Sequence, residues 1–239
     1  SRLETAAALG ADRVWADAGS AAAGRGGRPC FDLVVESTGS RKGMEAAVAL
    51  AAREIHVKST TGQETLGLRH LTELVVDEVC LAKFDPEALR AEPPVYATGG
   101  TAVLLGAKVA ALAAGPLEKA GFQIRRFPDA DACPKPAAGT AAEALEQADL
   151  VVVDSVQGVD RAIRPWPDLE RGLVRPRGII AVADVGKARQ GLLEPLLDRG
   201  VRVSTSRCGD FHEAIEALKT LERLGIDLGP LVTETVPVA

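Results

Sequence analysis

The sequence has few aromatic residues: Phe, Trp and Tyr together make up 3% of its 239 residues. Its interior must therefore be built mainly from aliphatic side chains. Uninterrupted apolar runs are also short, and none reaches the ~20 residues that a helix needs to cross a bilayer. The longest candidate, residues 101–114, contains Lys108. These features exclude a membrane-spanning class.

Positive charge is scarcer than negative charge. The chain has 28 Lys and Arg against 33 Asp and Glu, a formal net charge of -5, and its basic residues form no run. Nucleic acids are bound through clustered Lys and Arg, which neutralise phosphates. The sequence therefore predicts no nucleic-acid partner.

Cysteine is sparse, and none of the four cysteines lies in a C-x-x-C pair or near a histidine at metal-ligand spacing. They are Cys30, Cys80, Cys133 and Cys208. We predict that these cysteines are small, buried apolar side chains in a protein of a reducing compartment, which indicates a cytoplasmic location. We predict no metal site within this chain. Hydrophobic residues at 46% and charged residues at 26% are typical of a globular fold.

What the sequence does contain is a series of short apolar runs. Residues 31–36 (FDLVVE), 55–59 (IHVKS) and 74–81 (LVVDEVCL) are predicted strands, and residues 43–52 form a predicted helix between the first two. A helix over residues 2–10, closed by Gly10 as its C-cap, precedes them. Continuous apolar strands are typical of a parallel sheet covered on both faces.

The alternation resumes after residues 84–94, a connection that contains Pro86, Pro93 and Pro94. Further strands are predicted at residues 95–98, 122–127, 150–154, 178–183 and 201–205, and further helices at residues 101–119, 140–147, 190–197 and 211–224, the last behind Asp210 as N-cap. Repeated strand–helix alternation predicts an α/β fold with a doubly wound parallel sheet.

Two local features of this region have two interpretations each. Gly99-Gly100, between a predicted strand and a predicted helix, has the general shape of a phosphate-binding turn, but it does not match G-x-G-x-x-G or a P-loop. The alternative is a structural turn with Gly106 at a close helix–sheet contact.

The segment DLVV occurs at residues 32–35 and again at 149–152. This repetition indicates two similar α/β lobes, although two unrelated parallel strand groups produce the same pattern.

Several segments, taken in order, resemble the cofactor domain of the medium-chain zinc-type alcohol and threonine dehydrogenase family. They are SRLETAAALGAD (1–12), DLVVESTG (32–39), VKST (57–60), VVDEV (75–79), SRCGDF (206–211) and PLVT (230–233). The resemblance covers about residues 1–82 and 203–237. It implies a Rossmann-like domain, and it is specific because the motifs keep the family order.

Two departures from the family shape the predicted domain organisation. The VVDEV and SRCGDF segments, nearly consecutive in the family, are separated here by a second α/β unit, which we interpret as an insertion or a partial duplication. The resemblance also implies that the glycine-rich turn and the zinc-bearing catalytic domain lie before Ser1. We therefore predict a partial dinucleotide-binding domain at 1–84, incomplete at its N-terminus, an inserted lobe at 95–202, and a return to the first domain at 203–239.

The resemblance implies contacts with a dinucleotide cofactor, NAD or NADP. Arg2 lies beside the adenosine ribose in this interpretation, or is a solvated helix arginine. Thr38 and Gly39 after one strand, and Ser59 and Thr60 after the next, line the nicotinamide end, although a simple strand-to-helix turn uses the same residue types. Arg207 approaches the cofactor from the last strand, or pairs with Asp210 on the surface.

Two functions follow as hypotheses. The first is the cofactor-binding portion of an NAD(P)-dependent zinc-type oxidoreductase that transfers hydride to or from a small alcohol. This portion is expected to be inactive by itself, because zinc would be held only by the upstream domain. The family also implies a homodimer. The alternative is a non-catalytic nucleotide-binding or interaction module. His56, His70 and His212 are isolated in the sequence, so we predict no catalytic residue in this chain.

Overall fold

The computed structural model describes residues 2–23, 28–58, 64–90, 99–127, 147–166, 171–184, 191–206 and 211–229. The chain divides into two compact units. One comprises Ser1–Arg28 with Cys208–Ala239, and the other comprises Pro29–Arg207.

The described part of the first unit is helical. It contains α1 (Arg2–Ala8), α2 (Ala18–Ala23) and α8 (Phe211–Arg223). Gly10, at φ +92°, ends α1 in a Schellman arrangement, because its amide donates to Ala7 O and the next amide, of Ala11, donates to Ala6 O, both at 3.1 Å. The predicted C-cap is therefore confirmed, as are the first and last predicted helices.

The second unit holds an eight-stranded sheet in the order β1-β2-β8-β3-β7-β6-β4-β5. The strands are β1 (Phe31–Glu36), β2 (Ala51–Val57), β3 (Cys80–Lys83), β4 (Gly100–Leu105), β5 (Phe122–Phe127), β6 (Ala148–Val153), β7 (Val174–Val182) and β8 (Arg202–Thr205). Every neighbouring pair is parallel except β3 and β8, whose antiparallel contact is limited to Leu81 and Val203.

Helices cover this sheet on both faces, as predicted. They are α3 (Arg41–Leu50), α4 (Leu71–Val76), α5 (Ala107–Lys119), α6 (Val156–Ile163) and α7 (Leu193–Asp198), with a 3₁₀ turn at Glu87–Arg90. Side chains alternate along each strand, so on β4 Ala102 and Leu104 pack with α5, whereas Val103 and Leu105 belong to the core that includes α6. The predicted doubly wound α/β fold is confirmed.

Two predicted elements were wrong in type. Residues 74–81 were expected to form one strand, but they contain the end of α4, a turn with Glu78 at φ +55°, and the start of β3. A short apolar run does not by itself distinguish a buried helix from a buried strand. Residues 101–105 were expected to be helical, yet they form β4. Gly106 at φ +108° then ends the strand, and α5 begins at Ala107.

Helices α2 and α6 were not predicted. In α6 the buried residues Val156, Val159, Ala162 and Ile163 follow a helical spacing, so the signal was present in the sequence. The predicted strand 95–98, residues 140–146 of the predicted helix 140–147, and Asp210 lie outside the described residues.

The strands of both predicted lobes share one sheet. Strands β3 and β4 flank the proline-rich connection, and β7 and β6 lie between them. A shared sheet is compatible with an insertion and with a duplication, so the predicted division at residues 1–84, 95–202 and 203–239 stays a prediction.

Candidate functional site

The carboxyl edge of the sheet contains a crevice where the direction of the chain reverses. After β4 the chain enters α5 and returns as β5 on one side, and after β6 it enters α6 and returns as β7 on the other side. Because α5 and α6 pack on opposite faces, the chain leaves the paired carboxyl ends of β4 and β6 in opposite directions. In open α/β sheets, ligands bind at such a switch point.

Gly106 and Asp154 form the floor of this crevice. Gly106 follows β4 at φ +108°, and a Cβ atom on it would lie 3.1 Å from Asp154 Oδ2. Both the backbone conformation and the available space therefore favour glycine. The Asp154 carboxylate also accepts a hydrogen bond of 3.0 Å from the Ser155 hydroxyl, which holds it at the start of α6.

A cavity of about 360 Å³ lies beside this floor. Its lining includes Lys108 from the first turn of α5, Asp154 and Ser155 after β6, and Asp184 after β7. The amino end of α5 carries the positive end of the helix dipole, which favours a phosphate. Carboxylates accept hydrogen bonds from sugar hydroxyls. The combination suits a ligand that carries both phosphate and ribose.

Thr38 and Gly39, predicted as cofactor contacts, form a tight turn between β1 and α3. The carboxylate of Glu36 accepts hydrogen bonds from the Thr38 amide at 2.8 Å, the Thr38 hydroxyl at 2.5 Å and the Gly39 amide at 3.1 Å. Glu36 is 3% exposed, and a Cβ atom at Gly43 would lie 2.6 Å from its Oε1. Both amides of the predicted contact therefore already have a partner.

Three other predicted site residues follow β2, the neighbour of β1, and β8, the next strand in the sheet. Strand β2 lies between β1 and β8, and the Lys58 amide donates to Glu36 O while the Ser206 amide donates to Val57 O. Three strand ends thus meet at one edge. Ser59 and Thr60, which follow β2, and Arg207, which follows β8, lie outside the described residues.

Arg2 is an exposed residue of α1. It belongs to the first compact unit, whereas Thr38 and Gly39 belong to the second. Its predicted role beside the adenosine ribose stays a prediction.

The structure also joins residues that looked isolated in the sequence. His56 lies between Ser204, which is in β8, and Ser206, which follows the carboxyl end of β8. Its Nδ1 is 2.9 Å from Ser204 Oγ and its Nε2 is 2.8 Å from Ser206 Oγ. Ser204 Oγ donates to Glu54 Oε1 at 2.5 Å, and Lys58 Nζ donates to Ser206 Oγ at 3.2 Å. The five side chains form a continuous polar chain across β2 and β8. Only the strand register reveals it, because His56 and Ser204 are 148 positions apart.

Burial and charge shift the pKa values of two groups near this chain. Partial burial raises the pKa of Glu54, but the hydrogen bond from Ser204 and the ion pair with Arg202 outweigh it, so the pKa lies below the usual 4.5. Burial raises the pKa of the Cys80 thiol to about 12. Cys80 is therefore an inert thiol at neutral pH.

Comparison with known proteins gives no assignment: no family model, no curated protein and no solved structure matches this chain. Among the described residues, no group of three or more His, Cys, Asp or Glu is placed to hold a metal ion. Within the same ranges, no helix has the length and apolar character needed to span a membrane.

Proposed function

We propose that this chain binds a nicotinamide dinucleotide, NAD or NADP, in the crevice between the carboxyl ends of β4 and β6. The observation that carries the proposal is the cavity of about 360 Å³ at the point where α5 and α6 leave the sheet on opposite faces. The first turn of α5 supplies the phosphate contact, and Asp154 and Asp184 supply acceptors for the ribose hydroxyls.

The ends of β1, β2 and β8 are the second candidate position. They carry Thr38 and Gly39, and Ser59, Thr60 and Arg207 follow them in sequence. Five strand spacings separate β1 from β6, about 24 Å at ~4.8 Å per strand. The crevice is preferred because the Thr38 and Gly39 amides are occupied by Glu36, whereas Gly106 offers no capping side chain to the first turn of α5.

The reaction in this proposal is hydride transfer to or from a small alcohol, as in the medium-chain zinc-type alcohol dehydrogenases that residues 1–82 and 203–237 resemble. We assign no proton-transfer residue and no zinc ligand to the described residues, which lack a fitting donor set. Two further parts of the proposal are a homodimer and a reducing, cytoplasmic compartment. The free thiols of Cys30 and Cys80 support the compartment.

The experiment is a fluorescence titration with NADH and with NADPH, comparing the unaltered chain with the variant Ala107→Glu. Ala107 is exposed at the first turn of α5. A carboxylate there favours the helix dipole, so the fold is retained, but it repels a phosphate. We expect binding to weaken at least about tenfold, which corresponds to ~1.4 kcal/mol.

The matched control is Ala111→Glu, one turn further along α5 and also exposed. It adds the same charge farther from the amides of the first turn of α5, and it should leave affinity within about twofold. Failure of the unaltered chain to bind either nucleotide would refute the proposed function. Binding that survives Ala107→Glu would remove the cofactor from the first turn of α5 and leave the β1 edge as the candidate position.

A further inference from the structure

A second cavity, of about 450 Å³, lies on the face of the sheet opposite α5. It is formed by the segment before α4, one side of α6 and the beginning of α7. Ionisable side chains dominate its lining: Arg69, His70, Asp160, Arg161, Arg164 and Glu194. Nothing in the proposed cofactor site uses these residues.

Glu194 is the unusual member of this group. Its side chain is 6% exposed, and its Oε2 has no hydrogen-bond partner in the described part of the chain. A buried polar atom without a partner is destabilising by roughly 1–3 kcal/mol. Gly191 contributes to access, because a Cβ atom there would lie 3.1 Å from this oxygen. The absence of a side chain at Gly191 keeps one side of the buried Oε2 clear.

The second acidic residue, Asp160, already has a structural role. Its two carboxylate oxygens accept hydrogen bonds of 3.2 Å from the Arg69 and His70 amides, which fixes the segment before α4 against α6. Glu194 Oε2 is therefore the acceptor that remains for a ligand.

The cations of the lining come from two elements. Arg161 in α6 and Arg164 directly after it are partly buried, and Arg69 lies in the segment before α4 and is exposed. Arg164 is held over the ring of the buried Trp166, with its Cζ 5.0 Å from the ring centroid. Guanidinium groups match the planar geometry of carboxylates and the oxygens of phosphates. Three arginines against two carboxylates give the lining an excess of positive charge.

We propose that this cavity is a binding site for a small anion that also carries a hydrogen-bond donor. The anionic group lies against the arginines of α6 and of the segment before α4. The donor, a hydroxyl or an ammonium group, completes the hydrogen bonding of Glu194 Oε2. The site stands independently of the proposed cofactor function, since the two cavities share no lining residue.

Three carboxylates of nearly equal size test this directly: propionate has no donor, lactate has a hydroxyl, and alanine has an ammonium group. Binding to the full chain is measured by isothermal titration calorimetry. We expect lactate or alanine to bind at least about tenfold more tightly than propionate, the contribution of one buried hydrogen bond. Which of the two binds tighter identifies the donor. Equal affinities for all three, or binding of none, would overturn the proposal.

Variants then locate the site. Glu194→Met, which removes both oxygens and keeps a similar length, should abolish the preference for a donor, whereas Arg69→Gln should weaken all three ligands alike. Arg41→Gln is the matched control, because Arg41 is exposed on α3 and pairs with Glu45. A donor preference that survives Glu194→Met in a folded protein would contradict the proposed contact.

Discussion

Arg202 on β8 and Glu54 on β2 form an ion pair across adjacent parallel strands, although 148 positions separate them in the sequence. The Arg202 Nε donates to Glu54 Oε2 at 3.1 Å, and the second carboxylate oxygen of Glu54 accepts from Ser204. The Glu54 carboxylate thus links β2 to β8, the last of the described strands along the chain.

The pair predicts a pH dependence of stability. The pKa of folded Glu54 lies below 4.5, so its stabilising contribution is complete above the unfolded value and is lost as pH falls through the folded pKa. We expect Glu54→Gln to lower the free energy of unfolding by about 1 kcal/mol near pH 7, allowing for solvent screening at the half-exposed Arg202. The difference should shrink as pH falls through the folded pKa of Glu54.

Urea unfolding of both proteins across this pH range measures the effect. Glu45→Gln is the control, because Glu45 pairs with Arg41 within one exposed helix and contributes less than about 0.5 kcal/mol. A difference that stays constant down to acid pH would show that Glu54 acts through packing rather than charge.

Gly106→Ala tests the floor of the crevice. A side chain at φ +108° is strained, and its Cβ would lie 3.1 Å from Asp154 Oδ2. We expect a loss of about 1–3 kcal/mol in the free energy of unfolding. Gly200→Ala is the control for a positive φ without crowding, since Gly200 has φ +74° with no atom within 4 Å of a built Cβ. The prediction fails if both variants lose the same amount.

His56→Ala tests the polar chain across β2 and β8. Two hydrogen bonds are lost, but Ser204 keeps Glu54 as a partner and Ser206 keeps Lys58. The free energy of unfolding should therefore fall by only about 1–2 kcal/mol, because neither serine hydroxyl is left without a hydrogen-bond partner. A double-mutant cycle with Ser204→Ala should show coupling of at least about 0.5 kcal/mol. Additive effects would mean that the two side chains do not interact in solution.

Cys80 predicts a difference in chemical reactivity between the folded and unfolded protein. With its thiol pKa raised to about 12 by burial, it has almost no thiolate at neutral pH. Iodoacetamide should leave Cys80 unmodified in the native protein and alkylate it in urea, as measured by mass spectrometry of the peptides. Rapid labelling of Cys80 under native conditions would show that β3 opens readily.

Local patterns predicted the elements that depend on local physics. Strands β1 and β5 have the predicted bounds, and the continuous apolar runs correctly indicated a parallel sheet covered on both faces. The error at residues 74–81 arose because buried helices and buried strands share composition. At residues 101–105 the β-strand ended at a single glycine, Gly106, whose positive φ is not visible in the sequence.

The candidate site was harder to predict because it depends on strand order. The resemblance pointed to the ends of β1, β2 and β8, and these strands are indeed neighbours. The crevice at Gly106 and Asp154, however, follows from helices leaving β4 and β6 on opposite faces, which sequence spacing does not specify. The same holds for His56, whose serine partners come from β8 and its carboxyl end.

The position of β8 bears on how the protein is made. It is the last of the described strands along the chain, yet it lies between β2 and β3, and the Thr205 hydroxyl contacts the carbonyl groups of Leu74 and Val79 at 3.1 and 2.9 Å. From this strand order we expect β1 and β2 to join the rest of the sheet only after residues 202–205 have left the ribosome. Release of this segment completes the sheet, so nascent chains that stall earlier expose the edges of both halves to aggregation.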